Sequence, residues 1–281
     1  MKILYTPNEL FEARRALRSS GQTLAIVPTM GNLHEGHLSL LEKAKTLADV
    51  VVCTIFVNPA QFGPEEDLNN YPRTLAADLA ALAAAEVDWV FTPDIQSMYP
   101  PHDETRVSVP NLSADYCGAV RPGHFTGVAT VVCKLLNLAQ AEHAVFGEKD
   151  FQQLAVIRRM AIDLFIHTEI HSAPTRRAPD GLALSSRNAY LSDDQRKQAT
   201  LLYRTLHSLA EQIQQGHTDY AALEQTAMAT LKADGWIPDY VAICDPQSLV
   251  RTREALPKMV ILAAARLGQA RLIDNLVITH R

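Results

Sequence analysis

Apolar, β-branched runs alternate along the chain with longer segments whose apolar residues recur every three or four positions. That alternation is the pattern of a parallel sheet wrapped by helices. Strands are predicted at Thr23 to Pro28, Val50 to Val57, Asp88 to Thr92, His143 to Phe146 and about His167 to Ser172. Between them, Leu38, Leu41, Ala44 and Ala48 form one face of a helix that starts around His37, and Ala76, Leu79, Leu82 and Ala83 form another. Asp78 falls on that second helix and reads as a surface residue, with a supporting carboxylate behind the site as the alternative. Further helices are predicted at Val128 to Leu138 and Phe151 to Leu164, completing a Rossmann-like, doubly wound α/β first domain over residues 1–175.

The segment APTRRAPDG, Ala173 to Gly181, is dense in proline, charge and turn formers, and the pattern changes after it. Helices near Ser192 to Gln215 and Asp219 to Ala233 precede short strands near Tyr240 to Cys244, Met259 to Ala265 and Leu272 to Val277. Residues 176–281 therefore read as a smaller α+β domain. Ser192, followed three residues later by Gln195, fits a capping box at the first of these helices.

Composition narrows the partner. Of the 281 residues, 47% are hydrophobic and 20% charged, and the formal net charge is −5, which is no footprint for nucleic acid or an anionic membrane. The N-terminal stretch MKILYTPNELFEARRAL has no apolar signal core, and no run is long enough to span a bilayer, so the chain reads as cytoplasmic. Cys53, Cys117, Cys133 and Cys244 are scattered without a CxxC pair. Cys53 and Cys133 sit in apolar runs and read as buried hydrophobes.

The chemistry concentrates in turns that follow strands. VPTMGNLHEGHL, Val27 to Leu38, carries Met30, Gly31, His34 and His37 between a strand and a helix. A helix N-terminus there presents unpaired N–H groups and the positive end of the dipole, and so favours phosphate. Two imidazoles would add donors for charge that develops on a phosphate. A zinc site is disfavoured, because no Cys or His pair stands at a partner spacing.

Lys149 lies past a second strand, after Gly147 and before Asp150, where an ammonium can reach phosphate as a point charge. Gln61 and Gln153 carry amides that both donate and accept, suited to gripping a hydroxy acid. Asn58, before Pro59, reads either as a turn former or as support for Gln61. Leu184, Ser185, Ser186 and Arg187 place two hydroxyls and a guanidinium in one short loop, a set that suits β- and γ-phosphates. Arg121 and His124 fall in RPGHF, whose Pro-Gly turn explains itself structurally.

His34-Glu35-Gly36-His37 resembles the HxGH signature of the nucleotidylyltransferase superfamily. With FVNP and Gln61-Phe62, RPGHF, GEKDFQQ and DGLALSSRN in this order, the chain resembles the pantoate–β-alanine ligase family, strongly from Val27 to Asn188 and weakly on to Arg271-Leu272-Ile273-Asp274-Asn275.

The resemblance implies ATP-dependent condensation of pantoate with β-alanine through a pantoyl adenylate, releasing AMP and pyrophosphate. It also implies Mg²⁺ and a homodimer, and because the histidine turn and Lys149 precede the boundary while Ser185 to Arg187 follow it, the second domain is expected to close over the ATP site. His34, His37 and Lys149 become the catalytic set. Met30, Gly31, Gly147, Asp150, Leu184, Ser185, Ser186 and Arg187 join them around ATP. Gln61 and Gln153 take pantoate, Gln61 also meets β-alanine, and Asn58 belongs with them. Many relatives carry Glu where this chain has Cys117, so no protein ligand is assigned to the metal. Two other readings stay open: an adenylyltransferase for a phosphorylated acceptor, and a nucleotide sensor without turnover.

Overall fold

A computed structural model describes residues 1–64, 66 and 68–279. Two compact units emerge. One comprises Met1–Ala114, Arg121–Glu148 and Gln153–Pro174; the other comprises Asp115–Val120, Lys149–Gln152 and Thr175–Arg281.

The first unit is built on six parallel strands: β1 (Lys2–Leu4), β2 (Leu24–Thr29), β3 (Val50–Ile55), β4 (Trp89–Phe91), β5 (His143–Gly147) and β6 (Glu169–Ala173). Their spatial order is β1-β4-β3-β2-β5-β6. All six residues of β3, VVVCTI, are buried, as expected for a strand covered on both faces. The longer helices of this unit are α1 (Pro7–Ser19), α2 (Glu35–Lys45) and α3 (Leu75–Ala84), with α4 (Ile95–Met98) and α5 (Pro110–Ser113) as single turns. After α6 (Cys117–Val120), which belongs to the second unit, come α7 (His124–Ala139) and α8 (Phe151–Asp163).

From β2 the chain runs outward through β3 and β4, then returns to place β5 on the other side of β2. The carboxyl ends of β2 and β5 therefore flank the topological switch point, where open α/β sheets bind ligands. Both strand-helix turns singled out in the sequence, after Thr29 and after Gly147, leave the sheet at this edge.

In this unit the strand boundaries agree with expectation to within two residues. The sequence pattern passes over β1, a three-residue edge strand, and α1, whose start is fixed by a Thr6–Glu9 capping box. On α3 the buried residues are Asp78 and Leu82, so the expectation of a surface Asp78 is corrected: its side chain points inward because it collects backbone donors of the histidine turn. Cys53 is fully buried as expected, whereas Cys133 is only partly so.

The second unit packs α9 (Asp193–Gln198), α10 (Thr200–Gln214) and α11 (Tyr220–Ala233) with an antiparallel sheet, β7 (Ile237–Cys244), β8 (Lys258–Leu267) and β9 (Ala270–Thr279). Its core gathers Leu202, Leu206 and Ile213 of α10 with Ile243 and Ile261 of the sheet. The Ser192–Gln195 capping box is present. The single helix expected from Ser192 to Gln215 breaks at Ala199 into α9 and α10. No helix among the described residues is long and apolar enough to cross a membrane.

Candidate active site

The histidine turn is built by mutual capping. His34 is the N-cap of α2, and its Nδ1 accepts from Gly36 N–H at 3.1 Å. Nδ1 of His37 accepts from the His34 backbone N–H at 3.3 Å, and the two rings lie 4.2 Å apart between centroids. A nitrogen that accepts from an amide carries no proton, so each neutral ring holds its hydrogen on Nε2. The caps thus fix which nitrogen of each imidazole is the donor. The helix begins at Glu35, two residues before the expected start, because His34 serves as the cap.

Asp78 fastens this turn to α3. Its Oδ2 accepts from Asn32 N–H at 2.9 Å and from the Thr74 hydroxyl at 3.1 Å, while Oδ1 accepts from Leu33 N–H at 2.8 Å. Gly31 has φ +81°, and a Cβ there would meet Asp78 Oδ2 at 2.9 Å. Only glycine fits on both counts.

Beside the turn stands a second polar cluster of the same unit. Gln61 donates to Met30 Sδ at 3.1 Å and accepts from Asn58 Nδ2 at 3.0 Å. Asn58 is 1% exposed; it also donates to Gly127 O and accepts from Tyr99 OH at 2.7 Å. Of the two readings open for Asn58, this geometry is that of a residue holding Gln61. Burial pushes the Tyr99 phenol up to about 12, so it stays a donor at neutral pH.

RPGHF does more than turn the chain. His124 Nδ1 donates to Gln61 O at 2.8 Å, and its Nε2 accepts from Arg121 Nη1 at 2.9 Å. Arg121 in turn grips Glu66 with two bonds of 2.6 Å. Burial works to raise the Glu66 carboxyl, but the Arg121 guanidinium prevails and holds it below the usual carboxylate range. Gly127 lets α7 pass close by, since a Cβ there would lie 2.1 Å from Ala60 O. Asp78, Tyr99, Arg121, His124 and Glu66 are what sequence reasoning missed or underrated. Asp78 and His124 stand on otherwise apolar helices, which is a faint signal; Tyr99, Arg121 and Glu66 lie outside the helices and carry none in the local pattern.

Gly147 closes β5, and the 3-10 turn Glu148–Asp150 carries Lys149 and Asp150 to the start of α8. Gln153 lies half-buried in the first turn of α8, in the same unit as Gln61. Its neighbour Gln152 is spent on structure, accepting from Cys117 N–H and donating to Asp115 O.

Within the second unit, Lys149, Ser185, Asn188 and Asp274 line one small pocket. Asn275 Nδ2 donates to Lys149 O at 3.0 Å. Asp274 receives Arg177 in a two-bond grip of 2.6 and 2.8 Å, and Arg177 stacks 4.0 Å from the Tyr203 ring. The weakly matching segment Arg271 to Asn275 therefore supports the backbone of Lys149 and the turn before Leu184. Leu184 N–H donates to Arg176 O. Ser185 caps the 3-10 helix Ser186–Tyr190 by accepting from Arg187 N–H at 3.3 Å.

Cys117 is buried, with Sγ 3.1 Å from Tyr240 OH and 3.5 Å from both Nη atoms of Arg271. A thiol among these groups is a poor partner for Mg²⁺, which takes hard oxygen ligands.

Histidines that cap a helix at the switch point of a Rossmann-like parallel sheet resemble the arrangement of the HxGH nucleotidyl-transfer class. The sequence model of pantoate-beta-alanine ligase matches residues 2–277. The chain belongs to the pantoate–β-alanine ligase family.

It is 52% identical to the pantothenate synthetase of Methylococcus capsulatus, covering 99% of this chain and 98% of that one. It is 53% identical to that of Pseudomonas aeruginosa, covering 98% of each. Among solved structures, pantothenate synthetase from Thermus thermophilus superposes with a TM-score of 0.92 at 46% identity, over 98% of this chain and 99% of that one. The Francisella tularensis ligase, solved with β-γ ATP and β-alanine, gives a TM-score of 0.84 at 34% identity, over 99% and 97%.

Proposed function

We propose that this chain condenses (R)-pantoate with β-alanine in two steps. In the first, a pantoate carboxylate oxygen attacks the α-phosphorus of ATP, the α–β bridge breaks, and pyrophosphate leaves. In the second, the β-alanine amine attacks the acyl carbon of the adenylate, loses a proton, and expels AMP. No side chain becomes a covalent nucleophile. The observation that carries the reading is the paired histidine cap, which fixes Nε2–H donors at a helix N-terminus on the sheet's ligand-binding edge.

His34, His37 and Lys149 then stabilise charge that develops on the α-phosphate. One preorganised donor of this kind is worth on the order of 3 kcal/mol. Met30, Gly31, Gly147, Asp150 and Leu184 pack around the nucleotide, and Ser185, Ser186 and Arg187 hold the departing pyrophosphate. Gln61 and Gln153 grip pantoate, with Gln61 fixed by Asn58 and His124. Alignment of this sort supplies effective molarities of roughly 10⁵ M or more.

ATP enters as its magnesium complex. With Cys117 where a carboxylate would be needed, the metal is held by phosphate oxygens and water. The reading includes a homodimer in the cytoplasm, which light scattering on the purified protein checks for its oligomeric part.

An adenylyltransferase for a phosphorylated acceptor would need cations in the acceptor pocket, where Gln61 and Asn58 stand instead. The test is the first half-reaction. Labelled pyrophosphate should exchange into ATP with pantoate alone, and Gln153→Ala should lower that exchange at limiting pantoate while ATP still binds. Exchange that requires β-alanine would refute the stepwise order, and no pantoate-dependent exchange would refute the function.

A further inference from the structure

At the opposite edge of the parallel sheet, away from the ligand-binding ends of β2 and β5, three side chains converge on one point. His143 opens β5 and is the register partner of Glu169, which opens β6. His171 lies two residues beyond Glu169, on the same face of the strand. His143 Nδ1 and His171 Nε2 are 3.0 Å apart. The same two nitrogens lie 3.6 and 3.5 Å from Glu169 Oε2. The cluster is four residues down β5 from Gly147, about 13 Å at the usual strand rise.

The geometry points to a divalent transition-metal site, of the kind Zn²⁺ takes, formed by His143 Nδ1, His171 Nε2 and Glu169 Oε2. Zinc binds imidazole nitrogen and carboxylate oxygen at about 2.0 to 2.2 Å, so neighbouring ligand atoms of a tetrahedron lie about 3.4 Å apart. The three observed separations bracket that edge, and the three atoms outline one face of the tetrahedron. Water completes the fourth corner, because the Glu169 side chain is 67% exposed while the two histidines are largely covered.

A ligand set drawn from β5 and from β6, the last strand of the sheet, would pin that edge strand to its neighbour.

The alternative is a proton-sharing histidine pair with Glu169 beside it, and metal titration decides between the two. The full-length protein, stripped with chelator, is titrated with Zn²⁺ by calorimetry and with Co²⁺ by visible absorption. One ion per chain is expected, with a tetrahedral ligand-field band for Co²⁺ and a thermal midpoint raised by Zn²⁺. His143→Ala and His171→Ala should each weaken binding by at least about 100-fold, beyond the loss usual for a residue that only orients a ligand. His143→Gln and His171→Gln, which keep hydrogen-bonding groups and bulk, should lose the metal while keeping the fold, and Glu169→Gln should weaken it. No stoichiometric uptake by the wild type overturns the proposal. So does metal that survives both histidine substitutions, or that is lost only when His34 and His37 are replaced.

Discussion

Two turns are proposed to meet phosphate, and they are constructed differently. The turn Met30 to His37 is anchored from outside itself: Asp78, more than forty residues away, accepts from Asn32 and Leu33, and the helix it caps packs Leu40, Leu41 and Ala44 into the core. The turn Ser185 to Arg187 carries short-range bonds, the Ser185 cap and the Asn188 bonds to Ser185 and Ala183. The first is preorganised by a buried charge and a sheet. The second is a short 3-10 turn, a geometry with weaker hydrogen bonds and little cooperative length. Charge stabilisation in a transition state needs donors that do not reorganise. Holding a leaving group tolerates a turn that adjusts.

The sharpest way to break the comparison is at the donors. His37→Ala and Lys149→Ala should each lower pyrophosphate exchange by about 10² to 10³-fold with the fold intact. Near-normal exchange in both folded variants would remove these residues from catalysis.

Next in size is the anchor. Asp78→Ala strands two backbone N–H groups of the turn, and should cost about 2 to 4 kcal/mol of stability in denaturant titration. In whatever fraction folds, kcat should fall more than the KM for ATP rises, because the donors lose position rather than identity. Asp78→Asn keeps one acceptor and should lie between. An Asp78→Ala enzyme of unchanged kcat would show that the turn positions itself.

At the second turn the effect should be smaller. Ser185→Ala removes a cap worth about 1 kcal/mol or less and should raise the KM for ATP only a few-fold. A loss as large as that from His37→Ala would place the two turns in one class.

The smallest effect is in acid. The folded carboxyl of Glu66 titrates below its unfolded value of about 4.3, so its contribution is complete above that pH. It is lost as pH falls through the folded value. Glu66→Gln should therefore lower stability by a small, constant amount at neutral pH, converge with wild type in strong acid, and so flatten the acid limb below about pH 4. An acid limb identical to wild type would show that the Arg121 grip adds nothing measurable.

What was legible and what was not follows from the range of the interactions. Strand β3 and helix α7 declare themselves because burial on both faces demands apolar residues in a continuous run. The histidine turn is legible because His34, Gly36 and His37 act within four positions, where spacing is geometry. Helix α10 is legible as a helix, but not its break at Ala199. Asp78 looks like any polar residue on an alanine-rich helix until Asn32 and Leu33 are brought to it.

By itself, then, the sequence determined the α/β class, the change of pattern after Ala173, the strand-helix turns and the blocks that mark the family. All of these depend on local period, turn chemistry and residue order. Only the tertiary structure decided that Asp78 faces inward, that Asn58 and His124 hold Gln61, that Arg121 turns to Glu66, and that Asp274 meets Arg177 across 97 positions. A buried polar group must find a partner, but nothing in local sequence says which distant one, because chain topology alone sets who arrives.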